Sequence, residues 1–310
     1  MDIQNILDQM NLVVLNISLW QGRKALQAED LAANGIDVTK LPPGTLATLG
    51  SKRIISPDAL KVFSAQKREA MTLCLKNGVR FAGDGYAIPR DKSQLVIKEL
   101  KRLKEEFLTA KNCFLAVYEE EVEKWIASNP PEWTPVIRSA VDSSYHINKA
   151  ISFNYAALDV KAPDEIGENG LDDEVSSLYG QLCHEVRFAA TRAYEYSFVG
   201  KQEVTQKALR PIRTIRAKLE GLAFLDPSIG ETIKTIDDTL SKLPKGAIKG
   251  TDLNMVAGLL SRQLANMGRT DEDDPELPDD DINESVEKAF TAEIPMPQDT
   301  GRVAPITWDF

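Results

Sequence analysis

The chain has 310 residues, of which 43% are hydrophobic and 27% are charged, and its formal net charge is −10. This composition is typical of a globular protein and excludes a chain that is disordered throughout. Three cysteines without framework spacing argue against a secreted disulfide scaffold, and the acidic Met1-Asp2 start argues against a signal peptide. The apolar run at 12–20 is short and interrupted, which argues against a membrane span. We therefore expect a cytoplasmic protein.

The N-terminal part of the chain shows the patterns of both strands and helices. Residues 11–20 alternate apolar and polar side chains, which predicts a strand with one solvated face. A turn and a short helix ending near Gly35 follow, and a Ser-Pro start predicts a helix over 56–77. Glycines between apolar residues at 79–88 indicate a hairpin or a looped strand. We predict that residues 1–89 form a small α+β unit.

The clearest pattern in the sequence is a single long helix over 91–128. Its apolar residues recur in alternating steps of four and three, which is the spacing of a coiled-coil seam. Such a helix needs a partner for its apolar stripe, because packing rather than intrinsic propensity stabilises it. The predicted seam consists of Val96, Leu100, Leu103, Phe107, Ala110, Phe114 and Val117.

Further helical stripes follow, and residues 90–269 are predicted to form an elongated helical bundle with a coiled-coil arm. The segment 151–160 is an exception, because its composition allows a strand that pairs with the N-terminal unit. The predicted fold class is therefore mainly α, with a small α+β unit before the bundle. The additional stripes lie within 171–193, 208–222, 229–243 and 253–267.

The negative charge of the chain is concentrated after residue 269. Residues 270–310 contain 13 Asp and Glu against two basic residues, a net charge of −11, so that residues 1–269 carry about +1 of the total of −10. This charge and several prolines leave too little apolar surface for a packed core. We predict that residues 270–310 are a disordered acidic tail.

The tail combines its acidic residues with two aromatic residues at its tip. Asp279, Asp280 and Asp281 can steer a basic partner, while Trp308 and Phe310 can anchor in an apolar pocket. These five residues are the predicted partner-binding site. The alternative is a tail that only keeps the protein soluble and binds nothing.

A basic strip recurs every three residues at Lys207, Arg210, Arg213 and Arg216. On a helix, such cations can each neutralise one phosphate of a nucleic acid. They can also form a solvated face opposite an apolar stripe, or receive the acidic tail through an attraction that salt weakens. Because aromatic residues are not interleaved with the strip, nucleic-acid binding is the less favoured interpretation.

The motifs that would indicate catalysis are weak in this sequence. Cys183, His184 and Glu185 are adjacent, and consecutive helical residues point about 100° apart, so the trio cannot converge on one metal ion. The glycines at 44 and 50 suggest a phosphate-binding loop, but the spacing and the order of Ser51 and Lys52 do not fit it. We therefore predict a non-enzymatic protein without a cofactor or a metal.

Three stretches of the sequence carry a resemblance to a known family: LVVLNISLWQGRKAL at 12–26, LGSKRI at 49–54 and GYAIP at 85–89. They resemble an uncharacterised family of bacterial proteins found on conjugative elements, plasmids and phages. Its members are typically encoded beside a MoxR-type AAA+ ATPase and a von Willebrand factor A or cobaltochelatase-like protein. The resemblance implies an accessory protein that works with such a pair, and it implies no catalytic residues.

Two functions are consistent with these patterns. The favoured one is an adaptor that binds protein partners, with the MoxR-like ATPase and the von Willebrand factor A-type protein as the partners that the resemblance implies. The alternative is a nucleic-acid-binding accessory protein that uses the basic strip, with the acidic tail as a competitor. Whether the long helix pairs within one chain or between two chains of a homo-oligomer is left open.

Overall fold

The computed structural model describes residues 3–32, 34–161 and 170–269 of the chain. Helices predominate in this part, which agrees with the predicted mainly α class, and the strands form a four-stranded sheet and two two-stranded ribbons. The strands are β1 (Met10–Ser18), β2 (Arg23–Ala25), β3 (Ser51–Arg53), β4 (Val79–Phe81), β5 (Gly85–Pro89), β6 (Ser152–Leu158), β7 (Glu203–Val204) and β8 (Ile248–Lys249). The α-helices are α1 (Ile3–Leu7), α2 (Ala28–Ala32), α3 (Lys61–Asn77), α4 (Arg90–Ala127), α5 (Thr134–Arg138), α6 (Ser144–Ala150), α7 (Leu171–Ser197), α8 (Arg210–Gly221), α9 (Ser228–Ser241) and α10 (Thr251–Gly258).

The sheet has the strand order β4-β5-β1-β6, and each neighbouring pair is antiparallel. β1 lies between two partners, in keeping with its aliphatic, β-branched composition. β6 pairs with β1 from Ser18 opposite Ser152 to Leu12 opposite Leu158. The predicted pairing of 151–160 with the N-terminal unit is therefore confirmed, and so is the predicted strand at 11–20.

The helix that begins after Ser56 is positioned by both of its ends. The Ser56 hydroxyl accepts a hydrogen bond from the Asp58 amide at 3.3 Å, and a 3-10 turn over Pro57–Leu60 leads into α3. At the other end, a Cβ atom on Gly78 would lie 2.2 Å from the Ala87 carbonyl oxygen. Only glycine allows the chain to pass this close to β5. The predicted helix end at residues 77–78 is therefore confirmed, and the hairpin of β4 and β5 follows it.

The long helix α4 buries one continuous stripe along its length. Most of the predicted seam is buried in it, but Ala110 is half-buried and Val117 is 41% exposed. Tyr118 is buried in the place predicted for Val117. A straight α-helix drifts by about 20° per heptad relative to a 3.5-residue repeat, so three heptads move the stripe onto the next residue. The stripe packs against α3, α6 and strands of the sheet in the same chain.

A cluster of aromatic rings joins the N-terminal unit to α4. Phe107 lies edge-on to Phe63 of α3 and to Phe153 of β6, with ring centroids 5.2 and 5.4 Å apart. Phe114 lies 5.7 Å from Phe63 in the same arrangement. Edge-to-face contacts of this kind stabilise a core beyond the area they bury. The cluster therefore bridges segments that the sequence analysis assigned to two domains.

The helices after α6 extend the same core. α7 packs against α1, β4 and α8, and α8 packs against α3 and α9. A π-helical turn over Leu259–Gln263 continues α10 and returns the chain onto α7. The buried residues of both predicted units form one contiguous hydrophobic cluster. Residues 1–89 and 90–269 thus share one core across the predicted boundary.

The burial of the three cysteines predicts their reactivity. Cys113 on α4 is exposed, whereas Cys74 and Cys183 are buried. Burial also raises the pKa of the Cys74 thiol to about 12, so it is not ionised at neutral pH. We expect iodoacetamide at pH 8 to alkylate Cys113 rapidly, and to reach Cys74 and Cys183 only after urea unfolding. Mass spectrometry of the labelled peptides would test this, and fast labelling of Cys74 in the native protein would contradict the packing of α3.

Candidate functional site

The most distinctive surface feature is a cavity of about 460 Å³ between the end of β1, the β2–β3 ribbon and α3. We call it the cationic cavity. Four cationic residues and no carboxylate are among the described residues that line it. Its floor is apolar and includes Trp20, Leu60 and Phe63. The cationic lining consists of Arg23, Arg53, Lys61 and Arg68.

The local fold brings two arginines of this rim together. Gly22 has φ +63°, and a Cβ atom there would lie 2.7 Å from Ile55 and 2.9 Å from Leu60. Glycine therefore allows the chain to turn tightly from Trp20 into β2. The antiparallel pairing of β2 with β3 then sets Arg23 directly opposite Arg53. These elements come from two of the stretches that carry the family resemblance, 12–26 and 49–54.

The arrangement of charge on the ribbon is uneven. Lys24 forms an ion pair with Asp142 at 2.7 Å, and Lys52 forms one with Asp30 at 2.6 Å. Arg23 and Arg53, by contrast, are exposed and face each other across the two strands. Like charges directly opposite each other destabilise an antiparallel pair. An anion placed between the two guanidinium groups would relieve this repulsion.

The position of the cavity is held by contacts from the core. The Trp20 indole donates to the Asp142 carboxylate at 3.1 Å and stacks edge-on against Tyr118 with centroids 5.8 Å apart. The Trp125 indole donates to the Arg53 carbonyl oxygen at 3.1 Å, which attaches β3 to α4. Arginine guanidinium groups bind carboxylates in a two-pronged geometry. A rigid floor with such a rim suits a ligand that joins an acidic group to an aromatic or aliphatic one.

The predicted basic strip is interrupted in the structure. Arg216 is held by Asp237 through two hydrogen bonds of 2.9 Å, and this contact lowers the pKa of the Asp237 carboxyl. Lys207, Arg210 and Arg213 are exposed, and Arg213 donates to the Gln206 side chain at 3.1 Å. Three of the four cations of the strip are therefore exposed, while Arg216 is half-buried in its ion pair with Asp237.

The neighbour of the strip, Lys218, has a different role from the one its position in the sequence indicates. Its ammonium group is fully buried, forms an ion pair with Glu185 of α7, and donates to the Leu75 carbonyl oxygen at 2.6 Å. Burial lowers the pKa of Lys218, and the Glu185 carboxylate opposes that effect. This pair links α3, α7 and α8. The pair is not visible in the sequence, because each charge stands alone in its own helix pattern.

The adjacent trio at 183–185 does not converge, as its spacing predicts. Glu185 turns toward Lys218, while the Cys183 thiol lies beside Tyr179 and its pKa is raised mainly by burial. Burial lowers the pKa of His184. Within the described ranges, no group of His, Cys, Asp and Glu residues could hold a metal ion. No helix in the same ranges is long and apolar enough to cross a membrane.

A second cavity, of about 720 Å³, lies at the end of α4 beside the loop before α6. Glu119, Glu120 and Glu123 line it together with Val122 and Val141. Glu123 is neutralised by a two-pronged contact with Arg138, with distances of 2.6 and 2.7 Å. The acidic run at 119–123 thus forms a partly neutralised, solvated face.

One protein-family model matches residues 7–264 of the chain, and it describes DUF3150, a family of proteins of unknown function. The chain belongs to the DUF3150 family. The expected membership of an uncharacterised family is thereby confirmed. No curated protein and no solved structure matches the chain. The DUF3150 match covers the cationic cavity, the basic strip and the buried Lys218–Glu185 pair.

The predicted partner-binding residues lie outside both the DUF3150 match and the described residues. They are Asp279, Asp280, Asp281, Trp308 and Phe310, all within 270–310. Their role therefore stays a prediction from the sequence.

The cationic cavity is the feature that sequence reasoning missed, since residues 23–25 were assigned to a turn and a helix rather than to β2. The β-ribbon is only three residues long, too short for a periodic pattern.

Proposed function

We propose that this DUF3150 protein is a non-enzymatic adaptor that binds protein partners through its acidic segment 270–310. The observation that carries this proposal is the separation of charge along the chain. The segment has a net charge of −11, whereas residues 1–269 carry about +1 of the total of −10. A charged segment accelerates the encounter with a basic partner, and aromatic anchors then provide most of the binding energy.

The described body supports this role as a rigid platform. One contiguous core joins the sheet and the helices, so a partner held at one surface is held in a defined orientation to the others. The cationic cavity and the exposed part of the basic strip are further charged surfaces on the same body. The family resemblance makes a MoxR-type AAA+ ATPase and a von Willebrand factor A-type protein the proposed partners, in the cytoplasm.

The alternative, a nucleic-acid-binding function, has less support. Arg216 is engaged with Asp237, and Lys218 is buried against Glu185. The three cations that remain exposed could neutralise only about three phosphates of a nucleic acid. Few counterions would then be released on binding, so the electrostatic contribution to affinity would be small. Purification with and without nuclease, described next, would distinguish nucleic-acid binding from binding to a protein partner.

Replacing Trp308 and Phe310 together with alanine is expected to weaken partner capture by tenfold or more. Aromatic hot-spot residues each contribute about 2 kcal/mol or more to an interface. The protein would be purified from its native host after nuclease treatment, and a co-purifying AAA+ ATPase would be identified by mass spectrometry and quantified. The Tm is expected to fall by no more than a few degrees, because the segment 270–310 is too acidic and too poor in apolar residues to form a packed core of its own.

The matched control is Tyr145→Ala, which removes an aromatic side chain that is 68% exposed on the body. This variant is expected to retain the ATPase. Equal capture of the ATPase by the wild type and by the Trp308/Phe310 variant would refute a role of these two residues in partner binding. Recovery of nucleic acid alone, and only without nuclease, would favour the basic strip instead.

A further inference from the structure

We propose that the cationic cavity binds the segment Trp308-Asp309-Phe310 of the same chain. The cavity joins a rim of arginines to a floor that contains Trp20 and Phe63. The segment joins one carboxylate to two aromatic rings in three consecutive residues. The cavity and the segment are therefore complementary in charge and in apolar character.

This segment fits the cavity better than the rest of residues 270–310. Besides Trp308 and Phe310, that part of the chain contains one other aromatic residue, Phe290. Its neighbours are Ala289 and Thr291, so it brings no adjacent carboxylate. The acidic runs before it have charge but no aromatic ring to cover the apolar floor.

The cavity has the dimensions and the charge for such a ligand. Its volume of about 460 Å³ lies within the range of roughly 300–1,000 Å³ that is usual for ligand pockets. Arg23 and Arg53 face each other across the ribbon. The Asp309 carboxylate placed between them would accept charge-assisted hydrogen bonds and relieve their mutual repulsion.

The length of chain between the body and the tip permits this contact. Residues 269 and 308 are 39 positions apart, and an extended chain of that length spans roughly 130 Å. A globular body of this size has a radius of gyration of only about 18 Å. If a tether of this length gives an effective concentration of about 1 mM, a tip with a Kd of about 100 µM would occupy the cavity about 90% of the time.

Fluorine NMR of the full chain with fluorotryptophan would test the proposal. The chain has four tryptophans, and the Trp308 resonance is assigned with Trp308→Phe. We expect this resonance to lie away from its position in a free peptide of residues 300–310. In Arg23→Glu/Arg53→Glu it should move to the free-peptide position and sharpen, while the Trp133 resonance stays in place and reports an intact fold.

The matched control is Arg210→Glu/Arg213→Glu, which makes the same change of charge on the basic strip. It is expected to leave the Trp308 resonance unchanged. Added salt should release the tip in the wild type, which provides a test without any substitution. A Trp308 resonance at the free-peptide position in the wild type would overturn the proposal. Release by the strip variant alone would overturn it too and would place the tip on α8.

The contact also has a regulatory consequence, and this part rests on the proposed function. If Trp308 and Phe310 also bind the protein partner, they are unavailable to that partner while they occupy the cationic cavity. Arg23→Glu/Arg53→Glu is then expected to capture several-fold more of the AAA+ ATPase than the wild type. If this variant shows the Trp308 resonance at the free-peptide position but captures no more ATPase, the role of Trp308 and Phe310 in partner binding is contradicted. The contact between the segment and the cavity would still be supported.

Discussion

Replacing Lys218 with alanine is expected to lower the free energy of unfolding by about 3–5 kcal/mol, because it leaves a buried carboxylate without its partner. The side chains of Lys218 and Glu185 are 0% and 1% exposed. One Glu185 carboxylate oxygen already has no hydrogen-bond partner among the described residues, so the loss of the ammonium group would leave this carboxylate still less compensated. Urea unfolding followed by circular dichroism would measure the change.

A double substitution separates the charge effect from the packing effect. Lys218→Met/Glu185→Leu removes both charges and keeps most of the volume, so we expect most of the stability to return. Lys124→Ala is the surface control, since its ion pair with Glu121 is solvated and the Tm should barely change. Equal losses in the single and double variants would mean that the pair acts through shape rather than through charge.

The second large effect is expected from Leu103→Asp in α4. Leu103 is 1% exposed in the stripe that faces α3 and the sheet, so an aspartate there buries an unpaired charge. The expected loss exceeds about 4 kcal/mol, which is the range for such a change in a core. Circular dichroism and thermal unfolding would show a chain that is unfolded or nearly so.

The same helix provides a matched control. Leu95 is 57% exposed, and Leu95→Asp should change the Tm by no more than a few degrees. Light scattering of Val117→Asp then distinguishes two roles of α4, because Val117 is 41% exposed beside the buried stripe. An unchanged mass is expected if α4 packs only within its own chain. A fall in mass would show that the predicted coiled coil joins two chains.

Local patterns in the sequence were sufficient to predict the main elements. The alternation at 11–20, the Ser56 start and the apolar steps after residue 91 each identified an element that the structure contains. The strand at 151–160 was predicted as well, with its pairing to the N-terminal unit but without the partner strand, which is β1. These predictions hold because strand and helix periodicities reflect burial on one face of one element. The acidic character of 270–310 is likewise a property of the sequence alone.

Contacts between distant residues were decided only by the tertiary structure. Lys218 and Glu185 are 33 positions apart, and the arginines of the cationic cavity meet through a ribbon of three residues per strand. Periodicity identifies which face of a helix is apolar, but it does not say which charge of another helix will be buried against it. Val117 illustrates the same limit, since the drift of a straight helix, rather than the spacing of residues, placed Tyr118 in the core. Secondary structure follows from neighbours in the chain, whereas a site follows from neighbours in space.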